Sequence, residues 1–428
     1  MRTKKLRKWA LLLAAAVLAA AAGRAQTPPP SAPAKPSFEE RLAAKAAQNR
    51  YAVTYKDGAF SGPGWDLLLT QGRASRFFLV GEEHGIAEVP AVVRELFRAL
   101  APAGYRHLAL EISPPVAAAL DETARGGFAN LTKFYADHPP GVVFYTLREE
   151  TELLAAVRAA VPGPDAVLWG FDYEILADHY LLGGVRDRAP EGPAKAAATA
   201  LYEKSGAAFK TVKETGNPAA FFSFGNPPEI FAGLKAAWPH PDAESALVID
   251  VLQETLAINQ MFVHDQNWES NQRRAQLNRR DFLRYWNAAK AKGEPPRVMF
   301  KYGGNHMVRG LNMAEVFDLG NLASEIANAE GSQSFHLLVI GGAGTEHAIF
   351  NPVKVTYEPA PIEEMAEKYF QPIGSQALPE GFTLIDLRAL RPLLTANVAA
   401  KVDPDLMRFV QGFDAVLILT GSHPSKPL

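Results

Sequence analysis

Hydrophobic positions along most of the chain fall into two kinds of pattern. Short, nearly unbroken apolar runs occur at 76–80 (Arg-Phe-Phe-Leu-Val), 107–111 (His-Leu-Ala-Leu-Glu), 166–171, 297–302 (Arg-Val-Met-Phe-Lys-Tyr) and 335–340. Runs of this length, ended by glycine or charge, read as strands buried on both faces. Between the first two the period changes. Val89, Val92, Val93, Leu96, Phe97 and Leu100 recur as one helical stripe, with Glu88 at the end that favours an anion and Pro90 in the first turn. Strands alternating with helices require crossover connections, so the pattern predicts an α/β fold: a mainly parallel β-sheet flanked by helices. The runs at 382–387 and 413–419 add two strands near the end of the chain.

The stretch 178–290 breaks this alternation. It is rich in Ala, Lys, Glu and Gln, is interrupted by Pro and Gly, and has no strand pattern. It reads as a helical insertion whose last part, 245–290, is long helix broken near His264. No repeat of fixed period is present.

The N-terminus follows a third pattern. Arg2, Lys4, Lys5, Arg7 and Lys8 precede 14 apolar residues, Trp9 to Ala22, and Gly23-Arg24-Ala25 offers small residues for cleavage. This is the layout of a secretory signal peptide over 1–25, and its apolar run is shorter than the ~20 residues needed to cross a bilayer. Residues 26–50 follow as a Pro-rich linker and a short helix, and 51–428 as a single α/β domain carrying the insertion. Removing 1–25 takes away six basic residues and no acidic one, turning a net charge of −2 into −8. The expectation is a periplasmic or secreted protein with no membrane span in the mature chain and no nucleic-acid partner.

Composition narrows the chemistry further. The chain has no cysteine, which removes disulfides, thiolate metal sites and a cysteine nucleophile. No Gly-x-Ser-x-Gly elbow, His-Glu-x-x-His pair or phosphate-binding Gly-x-x-x-x-Gly-Lys-Ser/Thr loop occurs. What remains is positional. Gly81-Glu82-Glu83-His84-Gly85 follows the first strand, Glu111 closes the second, Asp172 and Glu174 follow the third, and Asn305-His306 follow the fourth. In an open parallel sheet, ligands bind beyond the carboxyl ends of the strands. Glu82, His84, Glu111 and His306 are therefore the candidate catalytic residues. A neutral imidazole can take a proton from water, and a carboxylate beside it can orient it. Glu83, Asp172 and Asn305 lie at the same strand ends, as candidate contacts to a small-molecule substrate.

As a set, these residues resemble a known family. Gly81-Glu82-Glu83-His84-Gly85, the amphipathic helix, Gly104-Tyr-Arg-His-Leu-Ala-Leu-Glu111, Gly170-Phe171-Asp172 and Asn305-His306 are similar in order to the erythromycin esterase-like proteins. These belong with the ChaN haem-binding proteins and the Tiki proteases in one superfamily. The tail segments Leu384–Arg388 and Phe413–Ile418 extend the likeness, which spans roughly 76–420. It implies His84 as general base, Glu82 and Glu111 as acidic partners, His306 on the opposite wall and Arg280 as a substrate-side arginine. The chain departs in having one residue, not two, between Glu82 and His84. The leading expectation is an exported hydrolase of an ester, lactone or amide that needs no cofactor. The alternative is a binding protein for haem or a divalent metal, for which the same four residues offer ligand types. A third is a scaffold without catalysis.

Overall fold

The structure is a computed structural model and describes residues 35–139, 141–362, 369–394 and 402–428. The signal-peptide segment and nearly all of the Pro-rich stretch lie outside the described residues. Residues 38–428 form one compact unit, and its first element is the helix Phe38–Gln48, which buries Leu42 and Ala46 one turn apart.

Eleven strands are present among the described residues: β1 Arg50–Lys56, β2 Ala59–Ser61, β3 Phe77–Glu82, β4 Tyr105–Leu110, β5 Leu168–Gly170, β6 Arg297–Gly303, β7 Ser334–Gly341, β8 Glu346–Asn351, β9 Thr356–Pro361, β10 Phe382–Asp386 and β11 Ala415–Leu419. Nine make one sheet in the order β2-β1-β10-β11-β7-β3-β6-β4-β5, and β8 pairs with β9 as a separate hairpin. The run from β11 to β5 is parallel throughout, while β10 and β1 are antiparallel additions at one side. The expected mainly parallel sheet is therefore present. The β1–β2 and β8–β9 hairpins go beyond the sequence reading. The first turns at Asp57-Gly58, both at positive φ, a dipeptide suited to a tight hairpin.

Each central strand is buried on both faces, and the two-residue period divides its side chains between two cores. Phe78 and Val80 of β3 join Leu108, Leu110, Met299, Leu417 and the Glu88–Leu100 helix on one face. Phe77 and Leu79 join Val298, Phe300, Val416 and Ile418 on the other, under Phe282 and Trp286 of the helix Asn267–Lys290. Burying one such side chain contributes roughly 1.5–3 kcal/mol, so the register is strongly specified. The same period sends Glu82 of β3 and Lys301 of β6 to the first face, on adjacent strands in register through Val80↔Lys301 and Glu82↔Gly303.

The insertion is helical as expected, with long helices Pro193–Thr215, Ala243–Val263 and Asn267–Lys290 and shorter ones between. The break falls at His264, followed by Asp265 at positive φ. The Ala243–Val263 helix is the one helix among the described residues long and apolar enough to cross a membrane. It buries Val248, Leu252 and Leu256 in the protein core.

Candidate active site

Because β3, β4, β5 and β6 run parallel, their carboxyl ends share one rim. Glu82 is the last residue of β3, Glu111 follows β4, Asp172 lies two residues past β5, and Gly303 ends β6. Segments far apart in sequence thus deliver acidic and imidazole groups to one place.

Glu111 is the centre. Its Oε2 lies 3.5 Å from Nε2 of His84, and its Oε1 lies 3.5 Å from Nε2 of His306. Each imidazole is backed by a carboxylate of its own: Nδ1 of His84 is 2.9 Å from Glu82 Oε1, and Nδ1 of His306 is 2.7 Å from Asp318 Oδ2. Glu111 also accepts from Gly303 N at 2.6 Å and from Arg274 Nη2 at 2.8 Å. Arg274 bonds Asp172 as well, Nε to Oδ1 at 2.9 Å, and lies over the Tyr173 ring. His84 is the accessible member, its side chain 27% exposed against 11% for His306 and 10% for Glu111. The Phe144 ring stacks on the His84 imidazole, with centroids 4.0 Å apart.

The electrostatics follow from these contacts. Burial works against a charge on His84, but the hydrogen bond to Glu82 and the field of Glu111 outweigh it, and its pKa is raised. For His306, burial and Arg274 oppose the charge, yet Asp318 and Glu111 raise its pKa too. Burial of Glu111 is overcome by His306, His84 and Arg274, which hold it down to about 2. Glu82 is likewise ionised against burial, chiefly by Lys301 and then by His84.

The structure brings Glu82, His84, Glu111 and His306 together, and adds Asp172 through Arg274. Glu83 and Asn305 lie beside the site but point to backbone: Glu83 Oε2 accepts from Gly341 N at 2.6 Å, and Asn305 Oδ1 from Met313 N at 2.9 Å. Both line an apolar cavity of 360 Å³ with Leu338, Ile340 and Phe413. Arg280 is elsewhere. It is 59% exposed and pairs with its neighbour Asp281, and the arginine at the rim is Arg274 of the same helix. Six residues along a helix is a rotation of about 240°, so the two cannot share a face. Sequence reasoning also passed over Lys301, Glu150, Asp318 and Phe144. Lys301 had a signal, a cation between Phe300 and Tyr302 in a buried strand, where a charge needs a partner. Asp318 stands as a helix N-cap, its Oδ1 accepting from Leu319 N, and nothing local marks its second bond to His306.

Among the described residues no three His, Cys, Asp or Glu side chains are grouped to hold a metal ion. The carboxylates are engaged by Lys301, Arg274 and the Gly303 amide instead. The described residues do not fit a divalent cation.

No protein-family model and no curated protein sequence matches the chain. Solved structures do. A Bacillus cereus protein aligns at TM-score 0.55 and 13% identity, covering 92% of this chain and all of its own. A succinoglycan biosynthesis protein aligns at 0.58 and 14%, over 92% of this chain and all of its own. The erythromycin esterase EreC, in its open conformation, aligns at 0.56 and 14%, over 88% of this chain and 99% of its own. The chain has the erythromycin esterase-like fold. At these identities the likeness is one of fold. The rim on which that fold collects its strand ends is, in this chain, the one that carries the two imidazoles and Glu111.

Proposed function

We propose that the chain is a hydrolase of an ester, lactone or amide in which His84 activates water. One observation carries this reading: a single carboxylate, Glu111, faces Nε2 of two imidazoles whose Nδ1 atoms are each held by a separate acid. A water between His84 Nε2 and Glu111 would lose its proton to His84 as its oxygen attacks the carbonyl carbon. His306, with its raised pKa, supplies a proton donor on the far side of Glu111 for the departing oxygen or nitrogen. The scissile C–O or C–N bond then breaks, and no Ser or Cys nucleophile is needed. The fold shared with an esterase supports the reaction class.

The reading sets a pH profile. His84 must be neutral and its pKa is raised, so kcat/KM climbs as pH passes through a value above the usual ~6.5 of histidine. His306 must be protonated, which closes the profile on the alkaline side. Replacing His84→Gln is expected to lower kcat/KM roughly 10²–10⁴-fold on a panel of aryl esters and lactones, with an unchanged near-UV circular dichroism spectrum. Full turnover by the folded variant would end the proposal.

A further inference from the structure

Behind His84 lies a line of charges that the proposed reaction leaves unused. Lys301 is wholly buried, with Nζ 2.6 Å from Glu82 Oε1 and 2.7 Å from Glu150 Oε1 of the helix Arg148–Ala160. Glu82 Oε1 therefore takes a hydrogen bond from the ammonium and faces His84 Nδ1 at the same time. The other oxygens, Oε2 of Glu82 and of Glu150, are buried without a hydrogen-bond partner. An arrangement of this kind is poor for stability. Taking an ammonium and two carboxylates out of water is costly, and apolar side chains of similar volume often do as well or better. The surroundings are otherwise suited to such a replacement: Met299 and Leu110 line the same face of the sheet, and the Tyr145 ring lies 5.4 Å from Nζ.

We propose that Lys301 is a positioning residue for His84: anchored by Glu150, it keeps Glu82 an ionised acceptor in one orientation, which locks the imidazole in its Nδ1–H tautomer and turns the Nε2 lone pair toward Glu111 and the opening. The groups facing this line are His84 and Glu82 on the β3 end, Glu111 beyond β4, Tyr135 on the helix Phe128–Asp137, Tyr145, and Tyr357 on β9. None of these is a cation when His84 is neutral, which leaves Lys301 as the cation that faces Glu82 among the described residues. Burial pushes Glu150 up to about 7 even beside Lys301, whereas Glu82 is held down. Of the two carboxylates Glu150 is thus the one that takes up a proton first as pH falls, and the ammonium charge balances Glu82. Without the ammonium, burial would protonate Glu82. Its new O–H would donate to Nδ1 and leave the ring proton on Nε2, where it blocks proton uptake from water.

The effect on turnover rests on the hydrolase reading; the effect on the imidazole does not. The test uses the full chain labelled with ¹⁵N-histidine, the His84 signals being those lost in His84→Gln. On the alkaline side of its titration, wild-type His84 should be protonated at Nδ1. Lys301→Met should move it toward Nε2–H and lower kcat roughly 10²-fold with KM little changed, since Lys301 touches no substrate. The double variant Lys301→Met/Glu150→Leu replaces both buried charges by apolar groups. It should recover thermal stability but neither the tautomer nor the turnover, whereas a purely structural pair would be rescued in all three. A wild-type Nε2–H tautomer, or a folded variant that lacks Lys301 yet keeps the Nδ1–H form, would overturn the proposal. A tautomer switch in a protein that hydrolyses nothing would uphold the positioning role and sink the hydrolase reading.

Discussion

Gly303 shows how much a missing side chain can matter. A Cβ there would lie 3.3 Å from both His84 Nε2 and Glu111 Oε2, in the gap where the reading above puts water. Its backbone, at φ −50° and ψ 138°, suits any residue, so the need for glycine is one of space. Gly303→Ala is therefore expected to fold normally yet lose roughly 10²-fold in kcat/KM, because the reacting groups are displaced by a fraction of an ångström to 1 Å. An alanine variant with full activity would show that the gap is not used. Phe144 is the opposite case, a bulky residue at φ 66°. A side chain in that region costs about 1–3 kcal/mol. It is held there by its N–H donating to the Tyr357 hydroxyl, and its ring covers one face of His84.

Among the elements, the C-terminal segment does for the His84 loop what the parallel strands do for the acids. Gly85 O accepts from Ser425 N at 2.8 Å and Ala348 N at 2.9 Å, while Ala87 N donates to His423 O at 2.9 Å. Farther along, Arg148 N donates to Lys426 O at 2.7 Å and Leu147 bridges to Pro427. The last residues therefore tie the loop after His84 to the segment that carries Phe144. Ending the chain after Gly421 is expected to leave the sheet intact, with an unchanged far-UV circular dichroism spectrum. Turnover should fall roughly 10²-fold as His84 and Phe144 lose their common support. Retention of turnover by this truncation would show that the loop needs no such tie. Neither this segment nor the β8–β9 hairpin was legible in sequence. Both are short, and the bonds that seat them on the loop after His84 are main-chain contacts that carry no residue code.

For the molecule as a whole, the insertion is what completes the rim. Phe282 and Trp286 pack against Phe77 on the second face of the sheet, with ring centroids 6.0 and 4.9 Å away. Asn278 and Arg274 continue that helical stripe at spacings of four, so docking the aromatic end carries Arg274 to Asp172 and Glu111, 102 and 163 residues away in sequence. Removing Arg274 would leave two buried carboxylates without their cation. Arg274→Met is expected to cost about 3–5 kcal/mol, read from urea unfolding, whereas Arg280→Met, on the solvent side of the same helix, should fall within about 0.5 kcal/mol. Equal losses for the two would contradict the placement of Arg274.

The order of residues along the chain was enough to locate the buried strands and the charged residues at their ends. An apolar run needs a core on each side, and the first polar residues after it mark the edge of that core. From this alone Glu82, His84, Glu111, Asp172 and His306 were recognisable as one set. Their partners emerged with the packing of the chain: Arg274 and not Arg280, Lys301 and Glu150 behind Glu82, Asp318 behind His306. A buried charge must find an opposite charge or a donor, but which one it finds depends on register, helix rotation and crossover, and those are properties of the packed chain.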